Sequence, residues 1–485
     1  NNDLMKKILP AIEESQVCQN VIKIDNDNMT YKEIVNITSW DTILSETFDL
    51  EKKINNIKRS DTACIIYTSG TGGNPKGVML SHGAMLRNCT GADELLKNLT
   101  RDMDEIKYLS WLPLSHSYEH TLQFFQMGQG AQIYYAESID KLVSNMAEVS
   151  PHFMTAVPRF YDSLHTRISQ GLKSQSKIRQ KLFQLTLELG KKNYYEKKMS
   201  SLEKFTNKLM DILVRKKVNK RFGGNLKALI SGGSALNFEV GLYLTALGLP
   251  LLQGYGQTET APVVSFNIPG KEEIGTVGHE LEGTEVALLD SHDKPVADGE
   301  SGQIAVRGPQ VMLGYWNRDD ETAKVMTQDG FFKTGDIGIR TESGAIKIVD
   351  RLKDMIIVSG FNVYPNEIED VLTTHPSVME AAVVGKPDEK TGERVCAFIT
   401  VSSDVSTQDV IDFCKQHLTN YKIPKSITIL DELPKSTVGK MLAKKLKVKF
   451  FDIDTIVEKK EKNSIKEIFD HKGEDYFRKI EKKIT

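Results

Sequence analysis

Short apolar runs recur along this chain, and most of them end in glycine, proline, serine or threonine. The runs at 63–67, 78–80, 108–114, 131–136, 153–157, 226–230 and 249–252 are too short for helices and predict buried strands. Between them the apolar period lengthens. Ser81-His82-Gly83-Ala84 predicts a helix capped by Ser81 and running to about Leu99. Residues 161–222 predict long helical segments heavy in lysine and arginine, read as a solvated face with an anionic membrane as the alternative. Strands alternating with helices predict an α/β fold, with ligands beyond the carboxyl ends of the strands.

The texture changes after Ala261. Short strands at 284–290, 302–308 and 331–336, set off by Gly, Pro and Asp turns, predict a small barrel or sandwich. A charged joint follows at Asp350-Arg351-Leu352-Lys353-Asp354. Beyond it, 355–358, 367–372, 381–385, 396–401 and 407–418 alternate strand and helix and predict a small α/β domain. Residues 1–60 are polar and give only fragments.

Bulk properties narrow the class. At 485 residues the chain exceeds a single hydrophobic core. It is 40% hydrophobic and 26% charged, as globular proteins are, and its net charge of -2 gives no field for nucleic acid. Its five cysteines are scattered without a C-x-x-C, which predicts reduced thiols and a cytoplasmic setting. No run of about eighteen apolar residues predicts a membrane span. The first residues, NNDLMKKILP, hold neither an initiator Met nor a signal-peptide core, so residue 1 is not expected to be the natural start.

The candidate chemistry sits at strand ends. Between two strands lies Thr68-Ser69-Gly70-Thr71-Gly72-Gly73-Asn74-Pro75-Lys76. Glycines there let backbone N–H groups turn toward an anion, hydroxyls add donors and Lys76 adds charge. It is not a P-loop, because Gly77 follows Lys76. The 108–114 strand is expected to deliver His116, Tyr118, Glu119 and His120 to a loop. Two more strands run into what reads as glycine turns, Ser231-Gly232-Gly233-Ser234 and Gln253-Gly254-Tyr255-Gly256-Gln257-Thr258-Glu259. The second offers an aromatic, a hydroxyl and a carboxylate able to hold a hard cation.

Seven stretches in order, YTSGTGGNPKG, LPLSHSYEH, SGGSAL, QGYGQTET, KTGD, DRLKDMIIVSGFNVYPNEIE and LPKSTVGK, resemble the adenylate-forming enzymes, specifically the long-chain fatty acyl-CoA synthetases. The helical insert after VPRF resembles that branch more than the aryl-CoA ligases. The resemblance implies a large domain of two stacked α/β sheets and a small β-barrel (1–350), a mobile α+β C-terminal lid (351–449) and a tail (450–485). It implies two half-reactions, with ATP, Mg and CoA: a fatty acid carboxylate attacks the α-phosphate of ATP, and a CoA thiol then displaces AMP. By resemblance Thr68, Ser69, Gly70, Thr71, Gly72, Gly73 and Lys76 hold the β- and γ-phosphates. Gly233 and Ser234 border the adenine, Tyr255, between Gly254 and Gly256, stacks on it, and Thr258 reaches the α-phosphate. Glu259 binds Mg, Asp336 accepts from the ribose with help from Arg351, and His116 gates the carboxylate. Lys440 bridges acyl and phosphate oxygens in the first step, Lys353 is the hinge, and Ser359, Gly360 and Phe361 face the pantetheine arm. A ligase for medium-chain or aryl acids, and a nucleotide-binding domain without turnover, stay open as alternatives.

The chain departs from that pattern in three places. Gly72 replaces a hydroxyl residue, and the segment before the glycine loop is shorter than the family's, which predicts an open sheet edge. From Lys435 onward, KSTVGKMLAKKL, FDID and the Gly473-Glu474…Phe477-Arg478 stretch resemble the start of a shikimate kinase. The glycines that would build its anion nest are missing before Lys435, so kinase activity is not expected. The shared Lys-Ser-Thr-x-Gly-Lys suits a fusion of two unrelated frames; an ordinary basic extension is the alternative.

Overall fold

The structure, a computed structural model, describes residues 20–23, 36–45, 56–68, 75–195, 198–297, 299–352, 354–388, 390–431 and 433, together with 10 and 12. It divides into two compact units, Asn1–Asp61 and Thr62–Thr485. In the first unit, β1 (Asn20–Lys23) and β2 (Asn36–Ser39) pair in parallel, and a helix at Trp40–Ser45 follows.

The second unit opens with β3 (Thr62–Thr68) and β4 (Lys76–Ser81), paired antiparallel. Ser81 then caps the helix His82–Thr100, its hydroxyl accepting from the Ala84 N–H as its sequence predicts. Next come β5 (Lys107–Ser110), β6 (Gln132–Tyr135), β7 (Phe153–Ala156), β8 (Ala228–Ser231), β9 (Leu251–Gly256), β10 (Val263–Phe266) and β11 (His279–Glu280). These form one seven-stranded sheet in the order β11-β10-β9-β8-β7-β5-β6. β6 through β9 are joined in parallel, and β10 and β11 run antiparallel.

Period-two alternation splits each strand between two cores. Leu109, Met154, Ala156 and Leu229 face the helices at 142–149, 158–173 and 238–246, through Leu142, Met146, Tyr161 and Leu244. Their neighbours Tyr108, Phe153, Ala228 and Ile230 face the opposite helices through Leu96 and Phe125. Both faces are covered, so the strands read as continuous apolar runs. Fully burying a side chain such as Phe153 is worth about 2–3 kcal/mol.

The hairpin region gives β12 (Glu285–Leu289), β13 (Gly302–Arg307), β14 (Gly314–Tyr315), β15 (Phe332–Arg340) and β16 (Ile346–Arg351). The expected barrel takes the form of a four-stranded antiparallel sheet, β12-β13-β15-β16, around Val264, Ile304, Val306 and Ile346. β14 instead crosses back to β4, so the second sheet of the large domain is a three-stranded β14-β4-β3 among the described residues.

The C-terminal sheet holds β17 (Ile356–Val358), β18 (Phe361–Val363), β19 (Val378–Asp388), β20 (Gly392–Val401) and β21 (Ser426–Ile429). It packs on helices Pro365–Thr373 and Thr407–His417 through Val363, Ile368, Leu372, Ile399 and Val410. Buried Asp350 accepts from the Asn366 N–H at 3.0 Å, capping the first of these helices from the strand that precedes the joint.

Two local expectations are corrected. Tyr118, Glu119 and His120 lie in the first turn of a helix, Ser117–Gly128, rather than in a loop, because His116 caps it by accepting from the Tyr118 N–H. The Gly254-Tyr255-Gly256 stretch is the end of β9 rather than a turn, since β10 pairs alongside it.

Candidate active site

A cleft of about 740 Å³ opens where β8 and β9 end, closed on its other sides by β4, β14, β15 and β16. Close packing fixes the glycines of β9. A side chain at Gly254 would press on the Phe266 ring of the paired strand, and one at Gly256 would overlap the carbonyl of Pro262, just before that strand. Tyr255, between them, projects to the other face.

The Tyr255 hydroxyl donates to Asp336 Oδ2 at 2.7 Å, and Gln257 Nε2 donates to the same oxygen at 2.7 Å. Burial, reinforced by the Asp336 charge, raises the tyrosine far above its ordinary pKa, so it stays a donor. Asp336 stands opposite Arg351 in the β15–β16 register, with Arg351 Nε 3.7 Å from Oδ1. Among the described residues the Tyr255 and Gln257 hydrogen bonds both fall on Oδ2 and none on Oδ1, so one carboxylate oxygen is anchored.

Lys76 lies across the cleft. Its amino group is 2.6 Å from Glu321 Oε2 and 4.8 Å from the centre of the Tyr315 ring. Tyr315 is brought there by β14 pairing with β4, and its hydroxyl donates to Glu259 Oε1 at 2.9 Å. Hydrogen bonds from Lys324 first, then Lys76, hold the Glu321 carboxyl down at about 2. Thr258 is buried, its hydroxyl 3.1 Å from that of Ser117 at the start of the 117–128 helix. The Tyr118 hydroxyl donates to the Ile230 carbonyl at 3.3 Å, and a Cβ on Gly232 would touch its ring at 3.1 Å.

The cleft therefore gathers Thr68, Lys76, His116, Gly233, Gly254, Tyr255, Gly256, Thr258, Glu259, Asp336 and Arg351 from the sequence reading. Desolvation by its surroundings keeps the His116 imidazole below its ordinary pKa. Ser234 is exposed and does not line the cleft. Gly360 shares with Ser359 the tight turn between β17 and β18, both at positive φ, and also lies outside the lining. Ser69, Gly70, Thr71, Gly72, Gly73, Lys353 and Lys440 lie outside the described residues.

Glu119 has a different place from the one expected. It is fully buried beneath the cleft and accepts from Ser110 Oγ and from Thr155 Oγ1. Burial raises its pKa, against the pull of those two hydroxyls. Sequence reading missed Gln257 as an anchor, along with Ser117, Tyr315 and Glu321. The signal for Tyr315 was a glycine-aromatic pair at 314–315, where Gly314 takes φ 140° and packs on Thr322. For Glu321 there was none, since an acid in a helix-opening Asp-Asp-Glu run reads as solvated surface.

The residues fit a nucleoside triphosphate. Lys76, Lys324, Lys333 and Arg351 line the cleft against two carboxylates, Glu259 and Asp336. No group of three metal-ligating side chains exists among the described residues. One carboxylate, Glu259, suits a magnesium ion whose other ligands are phosphates and waters.

An open sheet with helices on both faces and a charged, nucleotide-sized cleft at its strand ends is the arrangement of nucleotide-binding α/β folds. The model of the AMP-binding enzyme family matches residues 1–316, and that of the AMP-binding enzyme C-terminal domain matches 367–440. The chain belongs to the AMP-binding enzyme family. A shikimate kinase model matches 434–485, overlapping the preceding match over 434–440. The chain is 36% identical over 395 residues to the long-chain-fatty-acid–CoA ligase of Salmonella typhimurium, covering 80% of this chain and 61% of that one. To the ligase of the same name from Bacillus subtilis it is 33% identical, covering 80% of this chain and 61% of the relative. It thus spans less than two thirds of these relatives. Among solved structures, ATP-bound MatB from Rhodopseudomonas palustris matches with a TM-score of 0.65 and 26% identity, over 85% of this chain and 75% of that one.

Proposed function

We propose that this protein activates a long-chain fatty acid at the expense of ATP and passes it to CoA. A fatty carboxylate oxygen attacks the α-phosphorus and pyrophosphate leaves, giving the acyl-adenylate. The CoA thiol then attacks the acyl carbon, and AMP leaves. The observation that carries this is the opposition of two walls: Tyr255, Gln257 and Asp336 on one, Lys76, Tyr315 and Glu259 on the other, with Thr258 between.

In this reading Asp336 Oδ1 accepts from the ribose hydroxyls, with Arg351 beside it, and Tyr255 stacks on the adenine bordered by Gly233, while Ser234 stays outside the lining. Lys76 leaves Glu321 for the β- and γ-phosphates, joined by Thr68, Ser69, Gly70, Thr71, Gly72 and Gly73. Thr258 donates to an α-phosphate oxygen, where charge develops in the transition state. Glu259 holds magnesium, which neutralises phosphate charge when bound. Lys440 supplies a movable point charge to the reacting carboxylate, and His116, kept neutral, gates it. Lys353 is the hinge between the domains proposed at 1–350 and 351–449, with a tail at 450–485, and Gly360 faces the pantetheine arm after the lid turns. The gap between the two family matches, 317–366, supports a boundary there.

The long-chain assignment rests on the likeness to the ligases of Salmonella and Bacillus. A cytoplasmic setting is supported by four free cysteines among the described residues, and no helix there is long and apolar enough to cross a membrane. The test is to incubate the protein with ATP, Mg, CoA and palmitate. Palmitate-dependent AMP and pyrophosphate support the reading; ADP, or AMP formed without acid, rejects it.

A further inference from the structure

A second feature lies away from the cleft, on the helical insert. Ser201–Met210, the π-turn Asp211–Arg215 and Lys216–Lys220 make one continuous helical rod. Its inner face packs through buried Met210 and through Arg215, which donates to the Ala246 carbonyl and pairs with Asp211. Its outer face is unusual. Leu202, Phe205, Leu209 and Ile212 stand 74, 68, 41 and 58% exposed, at spacings that put them on one stripe.

The remaining exposed positions along 201–220 are Ser201 and five lysines, at 204, 208, 216, 217 and 220. None of the five enters an ion pair among the described residues. The two acids of the rod are engaged elsewhere, Glu203 with Lys192 and Asp211 with Arg215. The outer face thus offers four large apolar side chains, a serine and five lysines outside any ion pair among the described residues, while the rod's two acids are each paired with a cation, Asp211 with its side chain half exposed.

We propose that this face docks the protein on an anionic lipid bilayer. An apolar stripe bordered by lysines suits the acyl–headgroup boundary. The apolar side chains enter it while lysine stems lie along them and place their ammonium groups among phosphates. A protein partner would need a matching acidic groove, whereas anionic headgroups supply that charge complementarity on any flat surface. The surface stands apart from the adenylation reading and does not depend on it.

The test is flotation of the full chain with vesicles of phosphatidylcholine alone or mixed with phosphatidylglycerol. Binding is expected only with the anionic lipid and is expected to weaken with salt. A variant carrying Leu202→Ser, Phe205→Ser, Leu209→Ser and Ile212→Ser should lose about tenfold or more of that partition with an unchanged circular dichroism spectrum. In a separate variant, Phe205→Trp, the added emission should shift to the blue on anionic vesicles. Absence of anionic-vesicle binding, binding untouched by the quadruple change, or no shift of the added tryptophan overturns the proposal. So does a concentration-dependent dimer that the quadruple change abolishes without any vesicle binding, which would make a second copy the occupant.

Discussion

Tyr255 and Asp336, far apart in sequence, meet through a 2.7 Å hydrogen bond that joins the seven-stranded sheet to the four-stranded one. The bond uses one carboxylate oxygen and is doubled by Gln257 on that same oxygen. What results is a carboxylate fixed in direction before any nucleotide arrives. Asp336→Asn should therefore weaken ATP binding about tenfold or more, the scale of a hydrogen bond to a charged group. The same change should abolish discrimination against 3′-deoxy-ATP, measured as the ratio of the two KM values. An unchanged ratio would remove Asp336 from the ribose.

Lys76 and Glu321 make the opposite kind of pair, a contact that has to be exchanged. If the phosphates take Lys76 from Glu321, Glu321→Gln should tighten ATP relative to AMP, because only the triphosphate reaches that lysine. Competition binding with both nucleotides reads this directly. Equal changes for ATP and AMP would leave Glu321 as a surface partner only.

Glu119 predicts a loss of stability and no gain or loss of a ligand. Glu119→Ala strips the partner from Ser110 and Thr155 beneath the cleft and should cost about 2–3 kcal/mol in denaturant unfolding. Glu119→Gln, which keeps an acceptor there, should cost less.

A pH dependence follows from Glu369, on the Pro365–Thr373 helix, where burial raises the carboxyl to about 7 while the Val383 N–H donates to it. With its folded pKa above its ordinary 4.5, the folded state binds more protons between those values, so this group lowers stability as pH rises from about 4.5 to 7. The loss is complete above 7 and amounts to at most about 3 kcal/mol. Glu369→Gln should remove it, making the variant more stable than the parent at pH 8 and little different at pH 4.5 in denaturant titrations.

Much of this was legible in the sequence, for identifiable reasons. The parallel strands are buried on both faces, so their apolar runs are continuous, and Ser81 announces its helix by a local cap. Thr258, Glu259 and Asp336 lie in ordered motifs and could be named one by one. Tyr315 and Glu321 could not, because their roles depend on β14 crossing back to β4, a pairing between segments far apart in the chain. The Gly254–Gly256 stretch reads as a turn because glycines punctuate turns; here they admit the Phe266 ring and the Pro262 carbonyl instead. The His116–His120 group reads as a loop because Pro113 ends the strand, yet the His116 imidazole starts a helix at once.

Lys440 is claimed by two family matches, the AMP-binding C-terminal domain and the shikimate kinase. If it serves the first step of fatty acid activation, Lys440→Ala should lose adenylate formation far more than thioester formation from preformed acyl-adenylate. Equal losses would argue against that role. Shikimate-dependent ADP from the parent protein would assign the lysine to the tail.

The most direct measurement follows oxygen. Palmitate labelled with ¹⁸O in its carboxylate, incubated with the protein, ATP, Mg and CoA, should yield AMP carrying one labelled oxygen, because the carboxylate oxygen bonds to the α-phosphorus and stays there when the thiol takes the acyl group. Unlabelled AMP, or label in inorganic phosphate, would contradict attack at the α-phosphate and with it the proposed function.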